Sequence, residues 1–98
     1  MEKRNPHSRL AHVKALVTAG MVRTTHSARL GASELGLSLA EMLKVVLALT
    51  HADFYKSMTT HNDHTIWQDV YRPSTSVGHV YLKLTVVDDV LIVSFKEL

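Results

Sequence analysis

Cysteine is absent from this 98-residue chain, which excludes disulfides and thiolate-held metal and points to an intracellular protein. Long hydrophobic runs are absent too. The longest apolar stretch, residues 45–49, falls far short of the roughly 20 residues of a membrane helix. The opening residues Met1-Glu2-Lys3-Arg4-Asn5-Pro6 lead into no apolar signal region, so a soluble, cytoplasmic protein with no membrane partner is expected. There is no glycine-rich phosphate loop, no G-x-S-x-G elbow and no helical H-E-x-x-H pair, which removes the usual signatures of nucleotide-binding, hydrolase and zinc-peptidase sites. No repeat or low-complexity linker divides the chain, and its length suits a single domain, 1–98, with one core.

Acid is scarce in the first third. Residues 1–33 hold six Lys and Arg against Glu2 alone, a sum of +5, whereas residues 34–98 hold five basic and eight acidic side chains, a sum of −3. The overall charge of +2 conceals this asymmetry. A basic third is compatible with a phosphate backbone passing over it, and equally with a solvated helix face.

Helical periodicity fills the first half. Asn5-Pro6 suits a cap and a first turn, Leu10, Val13, Leu16 and Val17 form an apolar stripe, and Gly20 suits the stop. A short extended segment is expected over 21–25 and a brief helix over 27–35, although Gly31 lowers helix propensity there. The next helix is signalled most fully. Ser38 and Glu41 form a capping box, Leu37 and Met42 are spaced as a hydrophobic staple, and Met42, Val45, Val46 and Leu49 make the buried face. Thr50 with Asp53 caps one further turn.

After Phe54 the period changes to two. Residues 55–60 and 65–72 read as strands about a turn at 61–64, and residues 73–78 read as a loop. Leu82, Leu84 and Val86 alternate with Tyr81, Lys83 and Thr85; Leu91, Val93 and Phe95 alternate with Ile92, Ser94 and Lys96. Folding about Asp88-Asp89 pairs residues whose numbers sum to 177. Leu84 then meets Val93 and Leu82 meets Phe95 on the core face, while Lys83 meets Ser94 and Tyr81 meets Lys96 on the reverse face. Helices first and a strand meander afterwards predict an α+β fold, N-terminal helices packed on a C-terminal antiparallel sheet. The lone tryptophan, Trp67, is expected in the core or at its rim.

The polar side chains along these strands are Lys56, Gln68, Arg72, Tyr81, Lys83 and Lys96. In the earlier hairpin only the turn centre is legible, so Lys56 falls opposite Gln68 or Asp69. With Gln68 as partner, cations, an amide and a phenol share one face suited to an anionic, phosphate-bearing ligand. Lysines neutralise charge there, and Gln and Tyr orient. Scattered Lys and Tyr on a sheet face more often serve solubility alone. The rival cluster is His61-Asn62-Asp63-His64, but paired histidines in a turn are weak metal signals without further ligands, and no metal or other cofactor is expected.

Four blocks carry a family likeness: Met1-Glu2-Lys3-Arg4-x-Pro6-His7, Asp53-Phe54-Tyr55-Lys56-Ser57-Met58-Thr59-Thr60, Trp67-Gln68-Asp69-Val70-Tyr71-Arg72-Pro73, and Asp89-Val90-Leu91-Ile92-Val93-Ser94-Phe95-Lys96. In these the chain resembles the MqsR toxin family along its whole length. The resemblance implies a RelE-like fold and the toxin role in a type II toxin–antitoxin pair. The activity it implies is that of an mRNA interferase, a ribosome-independent endoribonuclease cutting at short GC-containing sites, typically GCU. It also implies links to stress response, persistence and biofilm regulation, and an MqsA-type antitoxin. The family's proposed active-site residues match Lys56, Gln68, Tyr81 and Lys96, and Arg72 and Lys83 are the expected substrate-binding cations. His61 stands where the family carries tyrosine, and Asp88 where its best-known member has histidine. A histidine role before Asp89 therefore does not carry over, and Asp88 is expected to repel phosphate near that turn.

The chemistry expected is cleavage by the RNA's own 2′-hydroxyl, without metal. Lys56 is then base or charge stabiliser, Lys96 phosphate clamp or acid, Tyr81 an orienting donor and Gln68 a positioning group. A lysine serves as base near neutral pH only where burial or a neighbouring cation lowers its pKa. Two other readings belong to different classes. A non-catalytic RNA- or protein-binding module predicts salt-sensitive binding without new RNA ends. A DNA-binding regulator is disfavoured by the acidic Glu34 and Glu41 on the helical pair.

Overall fold

The structure, a computed structural model, describes all residues, Met1–Leu98. In chain order its elements are β1 (Glu2–Lys3), α1 (Leu10–Thr18), β2 (Val22–Thr24), α2 (His26–Glu34), α3 (Leu39–Leu47), a 3-10 turn (His51–Asp53), β3 (Phe54–Thr59), β4 (Trp67–Tyr71), β5 (Ser74–Thr75), β6 (Gly78–Val87) and β7 (Asp89–Glu97). This is the expected α+β architecture. The sheet runs β1-β3-β4-β6-β7-β2, with β5 paired to β6 beside that path. All pairings are antiparallel except β2 with β7, which is parallel. No helix is long and apolar enough to cross a membrane.

Helices cover one face of the sheet. The core joins Leu10, Val13 and Val17 of α1, Ala28 and Ala32 of α2, and Met42 and Val46 of α3 to Tyr71, Val80, Leu82, Leu84, Val90, Ile92 and Phe95 of the strands. The capping box of α3 forms as the spacing requires: Ser38 Oγ accepts from Glu41 N–H, and the Glu41 carboxylate accepts from Ser38 N–H. Thr25 caps α2 by accepting from the Ala28 N–H. Gly31, which weakens the helix signal, sits where α2 touches β7. A Cβ there would overlap the Phe95 carbonyl oxygen, so absence of a side chain is a packing requirement.

Three expectations are corrected. The first helix begins at Leu10, not at Asn5-Pro6, and its N-cap Arg9 makes no side-chain cap. Residues 5–8 instead run across β3 and β4. There the Asn5 carbonyl accepts from Ser57 Oγ at 3.1 Å, and the His7 and Ser8 N–H groups donate to the Asp69 carboxylate at 2.9 and 3.0 Å. Asp69 is only 2 % exposed, and a buried carboxylate demands donors, which this segment provides.

The last hairpin shifts register midway. Tyr81↔Lys96, Leu82↔Phe95 and Lys83↔Ser94 pair as expected, but nearer the turn Leu84 faces Ile92 and Val86 faces Val90, with a bulge between. The turn centres on Asp88 alone, at φ +68°, a conformation aspartate tolerates. Val90 and Ile92, rather than Leu91 and Val93, therefore enter the core. Both faces of this strand are apolar, so alternation could not choose between them. The bulge is locked from α2: Thr25 Oγ1 donates to the Val93 carbonyl at 2.8 Å, and Thr25 N–H to that of Ile92 at 3.0 Å.

The third correction concerns the β3–β4 hairpin. Lys56 pairs with Val70, and Gln68 with Met58; neither Gln68 nor Asp69 is the partner of Lys56. Residues 60–66 form a longer connection, closed by Thr60 N–H to the Ile66 carbonyl and Thr60 Oγ1 to that of Asp63.

Candidate active site

Directly opposed residues share a face, so the register assigns the side chains of the sheet. One row crosses four strands as Lys56, Val70, Lys83 and Ser94. The adjacent row, Tyr71, Leu82 and Phe95, is buried against the helices. Lys56, Gln68, Tyr81, Lys83 and Lys96 therefore lie on the face without helices. Val70, in the middle of that face, is fully buried and makes an apolar floor between Lys56 and Lys83, whose backbones are roughly 10 Å apart.

Lys56 is held by the N-terminus. Strand β1 pairs with β3, setting Glu2 opposite Met58, and the Glu2 carboxylate meets the Lys56 ammonium at 2.5 Å. The hydrogen bond from Lys56 draws the Glu2 pKa below its ordinary value, and Glu2 raises that of Lys56 against the opposing effect of burial. Lys56 is thus a firmly charged cation, opposite to what a neutral general base requires.

Lys83 differs. Burial pushes its pKa down, and the positive charge of Lys96 pushes it further the same way. Lys96 lies opposite Tyr81 across the β6–β7 ladder, its ammonium 5.2 Å from the ring centroid. The last hairpin thus brings Tyr81, Lys83 and Lys96 together as its outer register implies. Gln68 shares their face but stands one ladder step away from the row of Lys56. Arg72, directly after β4, packs its guanidinium carbon 3.8 Å from the centre of the Tyr55 ring.

The turn histidines form no comparable assembly. Asp63 accepts from Thr65 N–H and Oγ1 at 2.9 and 2.6 Å, with exposed His61 and His64 on either side. His7 stacks on Trp67, ring centres 5.5 Å apart. Asp88 sits at the far end of the hairpin, seven residues along the strand from Tyr81, roughly 23 Å. That exceeds the screening length of about 8 Å in physiological salt, so its charge acts at the turn and not on Tyr81 or Lys96.

Sequence reading missed Glu2, Arg4 and Tyr55. A two-residue strand carries no periodicity, so the β1–β3 pairing that delivers Glu2 has no signal beyond its being the sole acid of the first third. Tyr55 is displaced by a bulge between Phe54 and Lys56, which alternation cannot reveal.

The profile of the family described as "Motility quorum-sensing regulator, toxin of MqsA" matches residues 5–97. The curated protein named mRNA interferase toxin MqsR, from Escherichia coli (strain K12), is 66 % identical over 97 residues, 99 % of each chain. The chain belongs to the MqsR toxin family. Every block that carried the resemblance to the MqsR family lies within the matched length apart from the first four residues, and the relative's coverage extends the likeness across nearly the entire chain.

Proposed function

We propose that this protein is the toxin of a type II toxin–antitoxin pair and an mRNA interferase. It cleaves messenger RNA without ribosome or metal, at GC-containing sites, typically GCU, in the cytoplasm, until an MqsA-type antitoxin binds it. The observation that carries the reading is the open sheet face, where three lysines, a phenol and an amide surround the apolar floor at Val70. Family membership and the named activity of the Escherichia coli relative support it. The GCU preference rests on the family resemblance.

The donor set suits transfer of a phosphate to its own neighbouring 2′-oxygen. Attack by that oxygen on phosphorus breaks the bond to the 5′-oxygen, leaving a 2′,3′-cyclic phosphate and a 5′-hydroxyl. One group accepts the 2′ proton, another donates to the leaving 5′-oxygen, and cations hold the phosphorane charge. Lys56, kept charged by Glu2, suits charge stabilisation. Lys83, with its pKa lowered by burial and by Lys96, suits proton acceptance better. Lys96 serves as phosphate clamp and acid, Tyr81 donates to the phosphate, and Gln68 positions the scissile group. Glu2, the carboxylate on Lys56, is engaged by that lysine, and no three His, Asp or Glu side chains are grouped to hold a metal ion, so the set lacks the carboxylate cluster of a metal-dependent nuclease.

The test is incubation of purified protein with a GCU-containing RNA in EDTA, without ribosomes, and mapping of the ends. Cyclic-phosphate products that vanish with Lys56→Ala or Lys96→Ala, in variants that remain folded, are expected. Intact RNA retained on the folded wild-type protein would favour a non-catalytic binding module instead.

A further inference from the structure

The β3 bulge turns Tyr55 out of strand alternation beside Lys56. Phe54 keeps to the core, meeting Tyr71 edge-on with ring centres 5.5 Å apart, while Tyr55 remains part-exposed. Three cations surround its ring: the Arg72 guanidinium at 3.8 Å, the Lys56 ammonium at 5.3 Å and the Arg4 guanidinium at 5.5 Å from the centroid. Arg72 packs directly on the ring and the other two cations lie within about 6 Å of it, so three cations converge on one aromatic beside the candidate catalytic lysine.

Neither Arg4 nor Arg72 forms a direct ion pair, although Arg4 lies near enough to Glu2 to help lower its pKa; the ion pairs of the chain are Arg23 with Asp89 and Lys56 with Glu2. Both arginines are exposed. The backbone of Arg72 is fixed, its N–H donating to the Asp53 carbonyl at 2.7 Å. Its guanidinium carbon lies 3.8 Å from the centre of the Tyr55 ring while the residue stays exposed, so contact with the ring restricts the group and part of it remains open to solvent. An unneutralised, pre-ordered guanidinium plane suits an unpaired nucleobase, and a second free arginine suits the phosphate beside it. The similar cluster of Lys3, Trp67 and His7 shares the face of Asp69 and Tyr71, and serves to pin the N-terminal segment.

We propose that Tyr55, Arg72 and Arg4 form a base-stacking subsite for a nucleotide flanking the scissile phosphate of single-stranded RNA. The base lies on the outer side of the Arg72 plane and the adjoining phosphate on Arg4. This deepens the ribonuclease reading and rests on it for the position of the scissile bond.

The experiment uses a short GCU-containing RNA with a 2′-deoxy nucleotide at the cleavage position, so that it binds without being cut. An abasic nucleotide is walked through the flanking positions, and affinity is read by fluorescence anisotropy. For the wild type, one flanking position is expected to lose about 10-fold on removal of its base. In Arg72→Lys, which keeps the charge and loses the plane, the intact RNA is expected to bind about 10-fold more weakly and that penalty to vanish. Tyr55→Leu should reproduce Arg72→Lys, and Tyr55→Phe should behave as wild type. Arg4→Gln should lower the slope of log Kd against log salt by about 0.7 while leaving the abasic profile unchanged.

An abasic penalty that survives in Arg72→Lys, no penalty at any position in the wild type, or no RNA binding at all would overturn the subsite. Unchanged RNA affinity in Arg72→Lys would also overturn it and assign the arginine to a protein partner. The same RNA carrying its 2′-hydroxyl separates the two readings. Cleavage without a base penalty removes the subsite and spares the nuclease; a base penalty that Arg72→Lys abolishes, without cleavage, keeps the stacking platform and defeats the nuclease.

Discussion

Lys83 is where stability and the proposed activity oppose each other. Its pKa is depressed by burial first and by Lys96 second, so the folded state disfavours its charge. For a cation with a lowered pKa the sign is clear: the folded state loses stability while Lys83 is charged and regains it as pH rises toward the unfolded value of 10.5. Lys83→Met is therefore expected to raise the melting temperature at neutral pH by about 3 °C while lowering the rate of RNA cleavage. Thermal denaturation beside an end-mapping assay checks both. An NMR titration of the Lys83 ammonium should move to higher pH in Lys96→Gln, since a repelling charge has gone. Tyr71 is a second such residue. Its hydroxyl is buried without a hydrogen-bond partner, and burial, helped by Asp69, pushes its pKa up to about 12. Tyr71→Phe should be neutral or stabilising by about 1 kcal/mol in urea denaturation. The wild type should lose more stability than Tyr71→Phe as pH climbs from 10, where the unfolded tyrosine ionises, through about 12.

At the scale of elements, α2 is fixed to β7 by a missing side chain. Gly→Ala inside an exposed helix is ordinarily favourable by about 1 kcal/mol, but at Gly31 the new Cβ would meet the Phe95 carbonyl oxygen. Gly31→Ala is expected to destabilise by about 3 kcal/mol, a reversal of sign readable by chemical denaturation. The same glycine shows how the fold was legible and where legibility ended. A helix there could be read from the pattern, yet its glycine registered as weakness, because the neighbour that demands it lies more than 60 residues along the chain. The capping box of α3 and the Tyr81↔Lys96 pairing were legible because each depends on local spacing. The β7 bulge was not, since Val90, Leu91, Ile92 and Val93 suit either face. The partner of Lys56 was not, because polar turn residues mark the centre of a hairpin and not the length of its loop. The parallel β2–β7 pairing joins distant segments, which no local period encodes.

Across the whole molecule, the N-terminal segment links a buried carboxylate on the helix side of the sheet to the candidate site on the open side. Asp69, buried among Ser57 and the N–H groups of His7 and Ser8, anchors residues 5–8, and those residues deliver β1 with Glu2 to Lys56. The Glu2–Lys56 pair is no pH switch. The lowered Glu2 pKa gives a contribution present above 4.5 and lost only as pH falls through that lowered value. The raised Lys56 pKa gives one present below 10.5 and lost only as pH rises through the raised value. The pair persists across the neutral range, so on the proposed nuclease reading an RNA phosphate competes with Glu2 for Lys56. Glu2→Gln is accordingly expected to lower KM for RNA by roughly 2- to 5-fold, the range of an exposed ion pair, with little change in melting temperature. Asp69→Ala should also release Lys56, but at a cost of about 3 kcal/mol, because two backbone donors and Ser57 lose their buried acceptor. Hydrogen exchange at the His7 and Ser8 amides distinguishes the two: protection is kept in Glu2→Gln and lost in Asp69→Ala. If Glu2→Gln left KM unchanged while Asp69→Ala altered it, the segment would act on the open face through backbone position rather than through the carboxylate on Lys56.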